Sequence, residues 1–131
     1  MFNNLTATVL FVQDLDTCRA FYQDKLGLKP TFTDDSSAGY KFGEHDFVLL
    51  KFSAAAEMVG AEALGTGNGA GYRVLPCIGV ENVDEACKVL TDKGVTLLKP
   101  PKDQAWGRRT AYFADPEGNL WELWHELETG S

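Results

Sequence analysis

Apolar residues recur along the chain with two different periods. Thr6 to Val12 is an apolar-rich run of strand length, after which the spacing turns helical, with Leu15, Cys18, Phe21 and Tyr22 on one stripe. Asp14 or Asp16 is placed to cap this helix, and Gly27 to end it. The same succession returns in the second half. Arg73 to Val80 reads as a strand, and Val83, Ala86, Val89 and Leu90 form a second helical stripe. Asn82 can cap that helix with Glu85 reaching back, and Gly94 can stop it. Three strand-like segments follow each helix. The last two of each set are joined by turn-forming residues, Gly43-Glu44-His45-Asp46 and Asp115-Pro116-Glu117-Gly118. The order β-α-β-β-β is therefore expected twice.

Direct alignment of the halves agrees with this repeat. An offset of 68 sets Val12-Gln13-Asp14-Leu15-Asp16 over Val80-Glu81-Asn82-Val83-Asp84. An offset of 72 sets Tyr40-Lys41-Phe42 over Tyr112-Phe113-Ala114, and Phe47-Val48-Leu49-Leu50 over Asn119-Leu120-Trp121-Glu122. The change of offset needs only a longer loop in the second half. We expect one α+β domain, with a first module at about 5–53, a linker at about 54–71 and a second module at about 72–127. Ala54 to Leu64 reads as a short helix, followed by the glycine run Gly65 to Gly71. That run follows no strand of a βαβ unit, so it reads as linker and not as a dinucleotide fingerprint. Pro76 cannot donate to a ladder, which places its strand at an edge.

Composition narrows the partners. The net charge of −7 argues against nucleic acid, whose binders present a basic face, and permits a cationic ligand. No apolar run is long enough to span a membrane, and the MFNNLTATVL start does not read as a secretory signal. The scattered Cys18, Cys77 and Cys87 read as reduced thiols of a cytoplasmic protein. No nucleophile constellation or Walker loop is present, and Lys99-Pro100-Pro101-Lys102 reads as a solvated loop.

The run Trp106-Gly107-Arg108-Arg109-Thr110-Ala111-Tyr112-Phe113-Ala114-Asp115-Pro116-Glu117-Gly118-Asn119-Leu120-Trp121-Glu122-Leu123 resembles the vicinal oxygen chelate superfamily of glyoxalase I, extradiol dioxygenases, fosfomycin-resistance enzymes and bleomycin-resistance proteins. Val12 to Asp16, Phe21-Tyr22 and Leu26-Gly27-Leu28 resemble its first module. The resemblance implies two tandem βαβββ modules forming a cupped mixed sheet with helices on the outer face. It also implies a site inside the cup, and commonly a homodimer.

Metal-dependent members take His and Glu ligands from the strands lining the cup. Counted from the motifs, those positions fall at Ala7, Leu50, Leu75 and Glu122. A catalytic zinc typically has three protein ligands, and three of these four side chains are aliphatic. His45 lies in an expected turn, and His125 has the opposite strand parity from Glu122. Cys77 adds at most a second ligand. No metal or other cofactor is therefore expected.

If Asp115 faces Asn119 across the hairpin, Arg108, Thr110, Tyr112, Leu120, Glu122 and Trp124 share one face, and Arg109, Phe113, Trp121 and Leu123 the other. By repeat analogy Tyr40, Val48 and Leu50 line the cup from the first half, joined by Ala7, Val9 and Phe11. Trp106 lies near the rim. Arg108 opposite Glu122 is either a ligand-binding pair or an internal ion pair. The expected ligand-binding set is Phe11, Tyr40, Val48, Leu50, Trp106, Arg108, Thr110, Tyr112, Glu122 and Trp124, with no catalytic residue. The expected function is metal-independent binding of an aromatic or cationic drug-like molecule, resembling the bleomycin-resistance branch. The alternative is a metal-dependent glyoxalase- or dioxygenase-like enzyme with displaced ligands.

Overall fold

A computed structural model of the chain describes residues 1, 3, 5–64 and 74–128. The expected strand start at Arg73 and the glycine run Gly65 to Gly71 lie outside the described residues. The chain divides into two compact units, Met1–Gly69 and Ala70–Ser131.

The first unit runs β1 (Ala7–Val12), α1 (Leu15–Ala20), β2 (Phe32–Thr33), β3 (Ser37–Phe42) and β4 (His45–Lys51), then α2 (Phe52–Val59) and α3 (Ala61–Leu64). Asp14 caps α1, accepting the Thr17 amide at 3.0 Å and the Thr17 hydroxyl at 2.7 Å. The helix widens to π geometry over Phe21–Lys25, and Gly27 turns the chain out at φ 73°. The sheet order is β1-β4-β3-β2, with β1 parallel to β4 and the other pairs antiparallel. Its core lies between the sheet and α1: Tyr22 packs on Phe47 and Tyr40, with Val12, Leu15, Cys18 and Leu49 buried alongside.

The second unit runs β5 (Cys77–Gly79), α4 (Val83–Asp92), β6 (Leu97–Asp103), β7 (Arg108–Ala114) and β8 (Leu120–Glu126). Its order, β5-β8-β7-β6, repeats the first topology, with β5 parallel to β8. Pro76 immediately precedes the edge strand β5, where its missing N–H costs no ladder bond. Asn82 caps α4 by accepting the Glu85 amide at 3.1 Å, and Gly94 leaves the helix at φ 86°. The β7–β8 loop closes with the Asp115 amide on the Asn119 carbonyl at 3.0 Å and Gly118 at φ 84°. Val83, Leu90, Ala111, Phe113, Trp121 and Leu123 form this unit's core.

The α+β class and the tandem βαβββ order are as the sequence leads one to expect, with local corrections. His45 is the first residue of β4, and its Nε2 lies 2.8 Å from the Thr8 hydroxyl. The helix expected from Ala54 starts at Phe52 and is broken at Gly60. Lys99 to Lys102 is strand, not loop.

Tyr40 is the larger correction. It pairs with Phe47 and packs toward α1, its hydroxyl donating to Gln23 Oε1 at 3.0 Å, so it does not share the face of Val48 and Leu50. The cause is loop length. The β3–β4 hairpin carries two residues between its last paired positions, Phe42 and His45, whereas the β7–β8 hairpin carries five between Ala114 and Leu120. A difference of three is odd, and in a strand an odd shift moves every side chain to the other face. With β4 and β8 at an offset of 72, Ser37 and not Tyr40 is the counterpart of Tyr112.

Candidate functional site

Each sheet turns one face to its helix and leaves the opposite face for other chemistry. In the first unit, the register pairs Ala7 with Asp46, Val9 with Val48 and Phe11 with Leu50, so these residues share the face opposite α1. Ser37 and Gly39 join them from β3. Phe32 lies across Gly39 on the same face, where any Cβ would collide with its ring. Of the four first-unit residues expected at the site, the structure brings Phe11, Val48 and Leu50 together and leaves Tyr40 out. The centre of this face is apolar, with Ser37 at one end and the Lys41–Asp46 ion pair, at 3.5 Å, at the other.

The second unit carries a cluster of polar groups at the centre of its sheet. Arg108, Thr110 and Tyr112 pair with Glu126, Trp124 and Glu122, and Cys77 and Gly79 lie beside Glu122 and Trp124 on β5. All share the face opposite α4. Tyr112 donates its hydroxyl to Glu122 Oε1 at 2.7 Å, which gives this 8 % exposed carboxylate a partner. Arg108 does not pair with Glu122. Its Nε lies 3.4 Å from Glu126 Oε1, and its guanidinium covers the Trp124 ring at 3.7 Å from the centroid. Trp124 also lies against Gly79, where a Cβ would come within 3.2 Å of the indole. The Trp124 ring is therefore held within the sheet surface and is not a free stacking platform. Trp106 sits in the turn before β7, 63 % exposed. Thr110 accepts from Gln104 Nε2 at 3.0 Å.

Tyr112 and Cys77 on this face are both held in their protonated forms at neutral pH. The Glu122 carboxylate, followed by burial, pushes the Tyr112 phenol up. Partial burial, with Glu122 adding to it, pushes the Cys77 thiol up to about 11. A thiol so raised is a poor nucleophile and a poor metal ligand near pH 7. His125 lies on the opposite face, where Nδ1 accepts the Val83 amide at 2.8 Å.

Sequence reasoning missed a cavity of about 320 Å³ lined by Lys99, Pro100, Lys102, Gln104 and Tyr112. Lys99 and Lys102 are three apart, a spacing that puts side chains on opposite faces of a regular strand. Here Lys99 pairs with Tyr112 and Lys102 with Thr110, so an irregularity in β6 absorbs one residue and turns both lysines to the same face. The Pro100-Pro101 pair between them was the available signal, since neither residue can donate a ladder bond.

Two units of βαβββ order, each with a helix packed on one face of its sheet, define the tandem architecture of the glyoxalase fold. The family model described as "Glyoxalase/Bleomycin resistance protein/Dioxygenase superfamily" matches residues 4–123, and the chain belongs to that family. The uncharacterized protein YraH of Bacillus subtilis is 34 % identical over 121 residues, 90 % of this chain and 94 % of that one. A probable lactoylglutathione lyase of Synechocystis is 29 % identical over 128 residues, 91 % and 92 % of the two chains. The crystal structure of a glyoxalase/bleomycin resistance protein/dioxygenase from Nocardioides aligns with a TM-score of 0.86 at 26 % identity, over 100 % of this chain and 88 % of that chain.

A divalent ion does not fit the residues present. Ala7, Leu50 and Leu75 carry no donor atom, and Glu122 is already hydrogen-bonded to Tyr112. Among the described residues, no three His, Cys, Asp or Glu side chains gather where they could hold a metal. Ordinary N, O and S sites need about three such donors.

Proposed function

We propose that this protein is a metal-independent small-molecule binder of the glyoxalase superfamily, whose ligand is a compact aromatic molecule seated against Tyr112 on the second sheet. The observation that carries this reading is the donor set. Three of the four positions that would hold the family's ion are hydrocarbon, and the fourth is satisfied by a phenol. The cavity beside Tyr112, at about 320 Å³, is at the small end of ligand pockets, which suits one fused ring system and not a large glycopeptide. Pro100, the lysine stems and the Tyr112 ring supply apolar walls. The exposed Trp106 indole stands in the turn that leads into β7, the strand of Tyr112.

The probable lactoylglutathione lyase of Synechocystis gives a second reading, a metal-dependent lyase, which the donor set disfavours. Metal content measured by mass spectrometry after incubation with nickel, zinc, manganese and ferrous iron separates the two. We expect far less than one equivalent of any ion per chain, together with saturable binding of planar aromatic probes. One tight equivalent, lost in Glu122→Ala, would overturn the binder reading in favour of the lyase.

A further inference from the structure

The cavity beside Tyr112 holds a charge pattern opposite to that of the whole chain. The chain carries a net charge of −7, from which a cationic ligand is the natural first expectation. Yet the charged side chains lining the cavity are Lys99 and Lys102. Among the described residues neither lysine is within ion-pair distance of a carboxylate, since the ion pairs fall to Arg19, Lys41, Lys88, Arg108 and Arg109. The nearby acids are engaged elsewhere: Glu122 with Tyr112, Glu126 with Arg108, and Asp103 with Arg109.

We infer that this cavity is an anion subsite, in which Lys99 and Lys102 together hold a carboxylate or phosphate group on an aromatic ligand. The inference rests on the binder reading above and adds the ligand's charge. The strand irregularity is what builds the subsite. Without it, two lysines three residues apart would straddle the sheet, and one ammonium would face each side. With it, both lysines stand on one face and line the same cavity as Pro100 and Tyr112. Gln104, which donates to the Thr110 hydroxyl, lines the same cavity. An anion placed there meets two charge-assisted donors, stronger than neutral ones. A cation meets like charge.

Matched probes test this by calorimetric titration of the full-length protein, with amide NMR shifts locating the site. 2-Naphthoate, 2-naphthyl phosphate, 2-naphthamide and 2-naphthylmethylammonium share a ring system and differ in charge. The two anions are expected to bind about tenfold tighter than the amide, with shifts on β6 and β7, and the phosphate-to-carboxylate ratio tells which acid group the site favours. In Lys99→Gln/Lys102→Gln the roughly tenfold preference for the anions over the amide is expected to disappear, whatever both lose in common with the shorter stems. A lysine pair that only protects the edge strand would give no such selectivity. Equal binding of amide and anions, or preference for the ammonium, overturns the anion subsite and leaves the binder reading standing. No binding of any probe overturns both.

Discussion

Three side chains on neighbouring strands set the chemistry of the second sheet's open face: Cys77, Glu122 and Tyr112 stand abreast on β5, β8 and β7. Glu122 pushes the Tyr112 phenol up, and burial together with Glu122 pushes the Cys77 thiol up. Cys77 is the exposed thiol, since Cys18 and Cys87 are buried. Its alkylation by iodoacetamide should therefore follow a single titration with a midpoint near the value of about 11 to which it is pushed. Glu122→Gln should move that midpoint down. A midpoint in the ordinary thiol range would remove the case for the Cys77–Glu122 contact. Tyr112→Phe deprives a buried carboxylate of its donor, at an expected cost of about 1–3 kcal/mol in chemical denaturation. The pH signature follows from linkage. A folded-state pKa raised above the unfolded value adds stability that is complete below about pH 10, the unfolded phenol value, and disappears as the pH climbs through the folded value. The wild-type protein should lose more stability above pH 10 than Tyr112→Phe does.

Helix α4 shows how one element is tied down from several directions. Asn82 takes the Glu85 amide, His125 Nδ1 takes the Val83 amide, and Asp84 in the first turn forms a two-pronged pair with Arg109 at 2.7 and 2.9 Å. Arg109 also reaches Asp103 of β6 at 2.8 Å, so one guanidinium joins helix and sheet. Asn82→Ala should cost about 1 kcal/mol. His125→Phe should cost about 1–3 kcal/mol by leaving the Val83 N–H without its acceptor, and a wild-type denaturation midpoint in that variant would show the contact to be dispensable. Arg109 holds the Asp84 carboxyl below its ordinary value, so this contribution is present above the unfolded carboxylate pKa and is lost as pH falls through the folded one. Arg109→Lys, which cannot form the fork, should flatten acid denaturation in that range. What could be read in advance at this scale is local: the caps Asp14 and Asn82, the terminating Gly27 and Gly94, and the Asp115–Asn119 hairpin follow from side-chain chemistry within a few residues. What could not be read is parity across an irregular connection. Tyr40 faces α1 because the first hairpin is shorter by an odd number, and Lys102 joins Lys99 because β6 absorbs an extra residue. Both depend on pairing with another strand, which spacing along one strand does not reveal.

Charge shows the same contrast over the whole molecule, because a total is read from composition and a location is not. Seven net negative charges seen by an anion from about 20 Å repel it by about 1.5 kcal/mol in water before screening, whereas two ammonium groups met at about 4 Å attract it by about 1 kcal/mol each. The two terms are nearly equal but act at different ranges. At physiological ionic strength the Debye length is about 8 Å, so salt removes most of the distant repulsion while leaving much of the contact attraction. An anionic ligand held at Lys99 and Lys102 should therefore associate faster as salt rises from low to physiological strength, with an affinity that changes little. A purely electrostatic, unlocalised interaction behaves otherwise: a cationic probe attracted by the net charge should bind more slowly and more weakly over the same range. Stopped-flow association of 2-naphthoate and 2-naphthylmethylammonium across a salt series reads both slopes. In Lys99→Gln/Lys102→Gln the repulsion remains and the contact is gone, so the naphthoate should keep its rising association rate while dissociating faster. Association of naphthoate that slows with salt would place the dominant attraction somewhere other than this cavity.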